Sequence, residues 1–109
     1  MKNSILFSGR QATGKTTKIK TLLSCLNQKR VIELTFEEFQ LSIKSELSSQ
    51  YDFIVIYEVI EVEDIEYLSM ATSKGFFFIV ETQRTVKELE SIDLSTFHVV
   101  ELESIYSGS

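Results

Sequence analysis

Gly9-Arg10-Gln11-Ala12-Thr13-Gly14-Lys15-Thr16 is the most specific pattern in this chain, because it fits the spacing G-x-x-x-x-G-K-[ST] of a phosphate-binding loop. An apolar run, Ile5-Leu6-Phe7, precedes it, and a stretch with helical apolar spacing follows. A glycine at each end of the loop permits backbone angles that a side chain would forbid. The loop N–H groups can then turn inward, and a helix beginning near Lys15 directs its positive dipole end to the same point. The pattern predicts a strand, an anion-binding loop and a helix in succession.

The residue types in this loop favour a nucleoside triphosphate as the anion. Lys15 is expected to reach the β- and γ-phosphates, and the Thr16 hydroxyl is expected to ligate Mg²⁺. We therefore expect ATP and Mg²⁺ as ligands, although no base-reading motif separates ATP from other triphosphates. The expected nucleotide-binding residues are Gly9, Arg10, Gln11, Ala12, Thr13, Gly14, Lys15, Thr16 and Thr17, with Thr16 as the metal ligand.

Length and composition indicate one ordinary globular unit. The chain has 109 residues, of which 43% are hydrophobic and 25% charged, so we expect a single domain over residues 1–109. The net charge of −5 disfavours direct nucleic-acid binding through the whole surface. A lone cysteine, Cys25, excludes an internal disulfide and is expected to be buried on a helix. No membrane span or signal peptide is recognisable, which predicts a cytoplasmic protein without membrane contacts.

Strands and helices alternate along the chain. Short runs of consecutive apolar residues predict strands that are covered on both faces. The predicted strands are residues 4–8, 31–34, 53–57, 76–80 and 97–102. Helical spacing lies between them, and β-α alternation of this kind implies parallel strands with right-handed crossovers. We predict a three-layer α/β/α fold around a five-stranded, mostly parallel sheet.

The predicted helices carry recognisable end signals. After the loop, an apolar face is formed by Ile19, Leu22, Leu23 and Leu26, with Asn27 as the expected stop. Thr35 and Thr85 are each followed three residues later by a glutamate, which predicts two capping boxes. The first box opens a helix that continues through Leu47. Another helix is expected to close at Gly75, and residues 107–109 are expected to form a frayed tail.

Residues that follow the strands are the next site candidates, because ligands bind at the carboxyl ends of strands in open α/β sheets. A phosphate-loop enzyme usually ends the strand at 53–57 with two acids, the first for Mg²⁺ and the second for water. Here Tyr57 replaces the first acid, and a phenol is a poor substitute for a carboxylate near Mg²⁺. Glu58 remains as the expected catalytic base. Alternatively, Glu58 is simply the first exposed residue after a buried strand and has no catalytic role.

Glu81-Thr82-Gln83-Arg84 follows the strand at 76–80. Gln83 is expected to orient water or to sense the γ-phosphate, and we count it with Glu58 as catalytic. Arg84 is interpreted as a contact to phosphate or to a neighbouring subunit, and Glu81 as a carboxylate that supplies part of what Tyr57 lacks. All four residues have the alternative interpretation of a polar turn that caps the next helix.

With these sites in view, the chain resembles an additional-strand P-loop NTPase of the RecA-like class. Gly9 to Thr16 resembles Walker A, and Phe53 to Glu58 resembles a degenerate Walker B with its Asp replaced. The segment from Ser73 to Arg84 resembles the sensor strand of FtsK/HerA-type motors. The resemblance implies the strand order 5-1-4-3-2, with the catalytic Glu on the strand next to the sensor strand. By this resemblance the chain is expected to be a minimal core of the family, without a lid or substrate-handling insertion.

Two functions remain open from the sequence. One is an ATP-binding protein with weak Mg²⁺-dependent hydrolysis, which needs a partner's arginine for full activity. The other is a catalytically degenerate P-loop module that serves as a nucleotide-dependent or purely structural interaction partner. Such a module is expected in an assembly for DNA transfer, replication or packaging. Both hypotheses predict a protein partner or a homo-oligomer.

Overall fold

The computed structural model describes residues 4–9, 15–26 and 29–102, without the side chains of Lys15 and Thr16. Strands and helices alternate as the sequence predicts. In chain order they are β1 (Ser4–Ser8), α1 (Lys15–Cys25), β2 (Val31–Leu34), α2 (Phe36–Leu41), α3 (Lys44–Gln50), β3 (Phe53–Ile56), α4 (Val62–Ser73), β4 (Phe78–Thr82), a 3₁₀ helix (Lys87–Leu89) and β5 (Phe97–Glu101). The predicted helix stop at Asn27 and the predicted tail at 107–109 lie outside the described residues.

The five strands form one sheet in the order β2-β3-β4-β1-β5. All four pairings between neighbouring strands are parallel. Read from the other edge, the order is 5-1-4-3-2, which is the order that the resemblance to additional-strand P-loop NTPases implies. Since parallel strands end at the same edge of a sheet, the carboxyl ends of β1, β3 and β4 lie beside one another.

The two faces of the sheet pack against different helices. On one face, apolar residues of the sheet contact buried side chains from α2, α3, α4 and the 3₁₀ helix, such as Phe39, Leu47 and Leu68. On the other face, Phe7, Val55 and Ile79 pack against Ile19 of α1. The chain therefore builds the predicted three-layer α/β/α architecture. We refer below to the α1 face and the α4 face of the sheet.

Helix α1 has the apolar face that its spacing predicts. Ile19 is fully buried, and Leu22, Leu23 and Leu26 pack partly buried around it. Cys25 is exposed, so the expectation of a buried cysteine was wrong. The reason is its position outside the i, i+3, i+4, i+7 spacing of the apolar residues. Within the described residues, no helix has the length and apolar content needed to cross a membrane.

The single helix predicted from Phe36 through Leu47 was wrong, because the structure breaks it into α2 and α3. Thr35 and Glu38 form the predicted capping box at its start. The break is at Ser42 and Ile43, which both have extended backbone angles. The Lys44 ammonium donates hydrogen bonds to the carbonyls of three residues at the end of α2, Phe39, Gln40 and Ser42. These bonds satisfy carbonyl groups that a continuous helix would have paired.

Strand β4 begins two residues later than predicted and extends to Thr82. The cause is the end of α4, where Gly75 has φ 109°. Its N–H donates to Thr72 O, and the N–H of Phe76 donates to Ala71 O, which together form a Schellman motif. Phe76 therefore closes the helix rather than opening the strand. Gly75 confirms the predicted helix end.

The predicted capping box at Thr85 and Glu88 is present. The Thr85 backbone N–H donates to the Glu88 carboxylate at 3.2 Å, and the Glu88 N–H donates to Thr85 Oγ1 at 3.3 Å. It opens only a three-residue 3₁₀ helix, in which Leu89 is fully buried. This short element carries the chain across the α4 face towards β5.

Candidate functional site

The loop of the site starts where β1 ends, directly beside the end of β4. Ser8 is the register partner of Thr82, and the N–H of Gly9 donates to Thr82 O at 3.3 Å. The buried Ser8 hydroxyl donates to Arg84 O. Backbone contacts thus attach the first residue of the loop to the sensor strand proposed from the sequence.

Part of the predicted loop lies outside the described residues. Those positions are Arg10, Gln11, Ala12, Thr13 and Gly14, together with the side chains of Lys15 and Thr16. The backbone at Lys15 opens α1, as predicted. Thr17 is exposed in the first turn of α1, and its carbonyl accepts a hydrogen bond from Thr21 Oγ1 at 2.9 Å.

Tyr57 follows β3 and packs partly buried on the α1 face. Its hydroxyl donates a 2.7 Å hydrogen bond to Glu33 Oε1 on β2. Burial raises the pKa of Tyr57 above its usual range, and the hydrogen bond to Glu33 and the negative charges of Glu33 and Glu81 raise it further. The phenol is therefore a neutral donor directed to the edge strand. Neither the hydrogen bond nor its direction was predicted from the sequence.

Glu58 is exposed and has φ 55°, in the left-handed region. A non-glycine residue there costs about 1–2 kcal/mol. The next residue explains the conformation, because Val59 is 2% exposed within the core of the α4 face. Regular alternation would have directed Val59 to the α1 face with Tyr57. The turn at Glu58 reverses this alternation, and the Val59 N–H donates to Glu81 O at 2.9 Å.

Glu81 and Thr82 belong to β4 itself. The sequence had instead placed them after the end of the strand. Both are buried, with exposed fractions of 7% and 0%. Because side chains alternate along a strand, Glu81 lies on the α1 face with Ile79. Thr82 Oγ1, on the opposite face, accepts a 3.1 Å hydrogen bond from the N–H of Arg84. The interpretation of these two residues as part of a polar turn was wrong.

Gln83 and Arg84 follow β4 and have different environments. Gln83 is exposed, at the carboxyl edge of the sheet. Arg84 Nε donates to Ile60 O at 2.8 Å, and its Nη1 lies 3.1 Å from Glu88 Oε2. The guanidinium therefore connects the segment after β3 to the segment after β4. These contacts lie within the chain, whereas the sequence was interpreted as placing Arg84 in contact with a phosphate or a neighbouring subunit.

The structure thus brings three predicted positions to one edge of the sheet: the start of the loop at Gly9, Glu58 after β3 and Gln83 after β4. Within the described ranges, no group of three or more His, Cys, Asp or Glu side chains is arranged to hold a metal ion. Among the described residues, the buried carboxylate at this edge is Glu81, one residue before the register partner of Ser8. Its burial had no sequence signal apart from the apolar run on its amino-terminal side.

Comparison with known proteins gives a likeness in fold. No family model matches the sequence, and no curated protein matches it. The structure is similar to that of AMPPCP-bound DnaA from Aquifex aeolicus, with a TM-score of 0.58 and 19% sequence identity. The chain has a P-loop NTPase-like fold. The similarity covers 94% of this chain and 41% of the DnaA chain, so this chain spans less than half the length of its structural neighbour.

Proposed function

We propose that this chain is a single nucleotide-binding domain that binds a nucleoside triphosphate, with ATP as the expected ligand. The observation that carries the proposal is the G-x-x-x-x-G-K-[ST] sequence between β1 and α1 of a parallel sheet with the order 5-1-4-3-2. Such a loop, followed by a helix, offers backbone N–H groups and a lysine to phosphates. The fold that is shared with AMPPCP-bound DnaA supports the same proposal.

Mg²⁺ fits the residue types at this site. Thr16 follows the loop lysine and supplies a hydroxyl, and the neighbouring strand β4 supplies one buried carboxylate, Glu81. Mg²⁺ bound to a nucleotide usually takes one or two protein carboxylates and fills its other positions with phosphate oxygens and water. When bound, the ion would neutralise charge on the phosphates.

Weak hydrolysis is the further part of this proposal. Glu58, after β3, is the residue proposed to accept a proton from water, and Gln83, after β4, is the residue proposed to orient that water. Both side chains are exposed at the edge where the loop begins. Arg84 does not supply the missing positive charge in this arrangement, because it contacts Glu88 and Ile60. We therefore propose that full activity requires an arginine from a protein partner or a second copy of the chain.

A second candidate function is a nucleotide-binding or structural module without hydrolysis. One observation favours it: position 57 holds a phenol that is hydrogen-bonded to Glu33 instead of a carboxylate. The Tyr57 phenol, which stays neutral because its pKa is raised, does not replace an aspartate as a metal ligand. In this case the chain contributes its fold and its bound nucleotide to an assembly with another protein.

The test is equilibrium binding of ATP, ADP and AMPPCP, with Mg²⁺ and with EDTA, to wild type and Lys15→Ala. Loss of the lysine is expected to weaken binding at least about tenfold, because a charge-assisted hydrogen bond is lost. Lys18→Ala is the matched control, since Lys18 is exposed on the same helix. Absence of binding to wild type at millimolar nucleotide would contradict the proposal. ATP turnover by wild type and Glu58→Gln then separates the two candidate functions.

A further inference from the structure

A groove of about 210 Å³ lies between α4 and the break that separates α2 from α3. Helix α4 contributes Tyr67, Met70 and Ala71, whose spacing places them on one side of the helix. The volume is below the roughly 300–1,000 Å³ of typical small-molecule sites. A groove of this size is better suited to a few inserted side chains of a protein segment than to a small molecule.

Packed aromatic rings form the floor of this groove. Phe39 is fully buried, and its ring meets the rings of Tyr67 and Phe76 edge to face, with centroids 6.3 and 5.8 Å away. A third ring, that of Phe78, lies 5.1 Å from Phe39 in the same arrangement. Since edge-to-face pairs of this kind are favourable, the floor is already held in place before any partner binds.

The rim of the groove exposes large apolar side chains. Tyr67 is 41% exposed and Met70 is 56% exposed. Leu41 and Ile43, at the break between α2 and α3, are exposed as well. Exposed apolar residues grouped around a concave surface are typical of protein interaction sites, and methionine adapts to partners of different shape. Covering Tyr67 and Met70 would add apolar burial to the contact.

The charge of the groove is opposite in sign to that of the whole chain. Among the described residues that line it, the charged ones are Lys44 and Lys74, whereas the chain has a net charge of −5. The Lys44 ammonium lies 4.6 Å from the centroid of the Phe39 ring, so its charge is fixed beside the floor. Lys74 is exposed at the end of α4. The acids of α4 lie in its first two turns, within residues 63–66, before the stretch that lines the groove.

We propose that this groove binds an acidic amphipathic helix of a partner protein. Apolar side chains of the partner insert over the Phe39 ring, and its carboxylates lie beside Lys44 and Lys74. Binding of an amphipathic helix in a groove relies on apolar residues at i, i+3 or i+4, and i+7, which matches the length of α4 that lines the groove. The two lysines select partners by charge, because a basic segment would be repelled.

The experiment uses three fluorescein-labelled helical peptides of about 15 residues. They share leucines at i, i+3 and i+7 and carry glutamate, glutamine or lysine at the positions beside the leucines. In fluorescence anisotropy at low salt, wild type is expected to bind the glutamate peptide at least about tenfold more tightly than the lysine peptide. Added salt is expected to reduce this preference, since it screens exposed charges.

Two variants separate the apolar contact from the charge. Met70→Glu is expected to weaken binding of the glutamate peptide at least about tenfold, and Ile60→Glu, at a residue with the same exposed fraction of 56%, is the matched control. Lys74→Glu is expected to abolish the preference for the glutamate peptide over the lysine peptide. Lys20→Glu, at an exposed lysine of α1, makes the same change in charge and is expected to retain the preference.

A second measurement does not depend on how a variant folds. In wild type labelled with ¹³C at the methionine methyl groups, the glutamate peptide is expected to shift the signal of Met70. Equal affinity for the three peptides, no binding at millimolar peptide, or an unchanged Met70 signal overturns the inference. Wild type that sediments as a dimer while Met70→Glu sediments as a monomer also overturns it, because a second copy of the chain then occupies the groove.

Discussion

The ends of β3 and β4 lie side by side in the sheet, but each places its glutamate differently. Glu58 lies after its strand, exposed and with φ 55°. Glu81 lies inside its strand and is 7% exposed. Both residues follow a run of apolar residues in the sequence. At each strand end, the residue after the glutamate sets the environment of that glutamate, because it determines how the backbone leaves the sheet.

The two following residues are Val59 and Thr82. Val59 is apolar and packs in the core of the α4 face, which forces the turn at Glu58. Thr82 instead continues the strand, since its carbonyl accepts from the N–H of Gly9 and its hydroxyl accepts from the N–H of Arg84. Polar partners for Thr82 therefore keep β4 extended by one more residue and keep Glu81 buried.

The largest effect of a substitution at these two strand ends is expected at Val59. Val59→Ala is expected to lower the free energy of unfolding by about 2 kcal/mol, because a buried side chain loses two carbon atoms and leaves a cavity. It also removes the contact that holds Glu58 in its turn. Urea denaturation monitored by circular dichroism measures the change.

Ile60→Ala is the matched control, because Ile60 follows Val59 and is 56% exposed. Its substitution is expected to change the free energy of unfolding by about 0.5 kcal/mol or less. Equal losses for the two variants would contradict the expectation that the buried Val59 stabilises the fold more than the exposed Ile60 does.

Tyr57→Phe tests the hydrogen bond between the end of β3 and Glu33 on β2. Loss of the hydrogen bond to Glu33 is expected to lower the free energy of unfolding by about 1 kcal/mol at neutral pH. The pKa of Tyr57 is raised in the folded chain. Its contribution is therefore fully present below the unfolded value of about 10 and is lost as the pH rises above it through the folded pKa. The stability difference between wild type and Tyr57→Phe should thus shrink above about pH 10.

Chemical denaturation between pH 7 and pH 11 tests this expectation, and Tyr67→Phe, at an exposed ring, is the matched control. A difference between wild type and Tyr57→Phe that stays constant up to pH 11 would contradict the assigned hydrogen bond.

The smallest effect is expected at Glu58. Asparagine tolerates the left-handed region better than glutamate, so Glu58→Asn is expected to raise the free energy of unfolding by about 0.5 kcal/mol. Glu58→Gln retains the unfavourable backbone preference and is expected to leave stability unchanged. Thermal denaturation of the two variants side by side measures the difference. Equal melting temperatures would mean that the backbone at this position carries no strain that a side chain can relieve.

The fold was predictable from the sequence because its signals are local. Consecutive apolar residues gave the strands, and the capping boxes at Thr35 and Thr85 and the glycine at Gly75 gave helix ends. The break between α2 and α3 was not predictable, because the apolar spacing of Phe36, Phe39, Ile43 and Leu47 continues across it. The break is accompanied by hydrogen bonds from a side chain, Lys44, to the carbonyl groups at the end of α2, and such bonds have no periodic signal in the sequence.

The candidate site was predictable only in part. The positions of Gly9, Glu58 and Gln83 at one edge follow from the rule that parallel strands end together. The burial of Glu81 depends on the exact end of β4, which is set by Thr82 and its partners on other segments. The direction of Tyr57 depends on Glu33, 24 residues away in the sequence. Contacts between distant segments leave no periodic pattern.

Arg84 connects two segments at the carboxyl edge of the sheet, so their movements are expected to be coupled. Its guanidinium joins Ile60 O, two residues after Glu58, to Glu88 at the start of the 3₁₀ helix. The neighbouring residue in sequence is Gln83. A shift of the backbone at Gln83 is therefore expected to reach the segment that carries Glu58 through the 2.8 Å hydrogen bond between Arg84 Nε and Ile60 O. Arg84 therefore couples the segments that carry the two proposed catalytic residues, so a displacement of one segment is expected to shift the other.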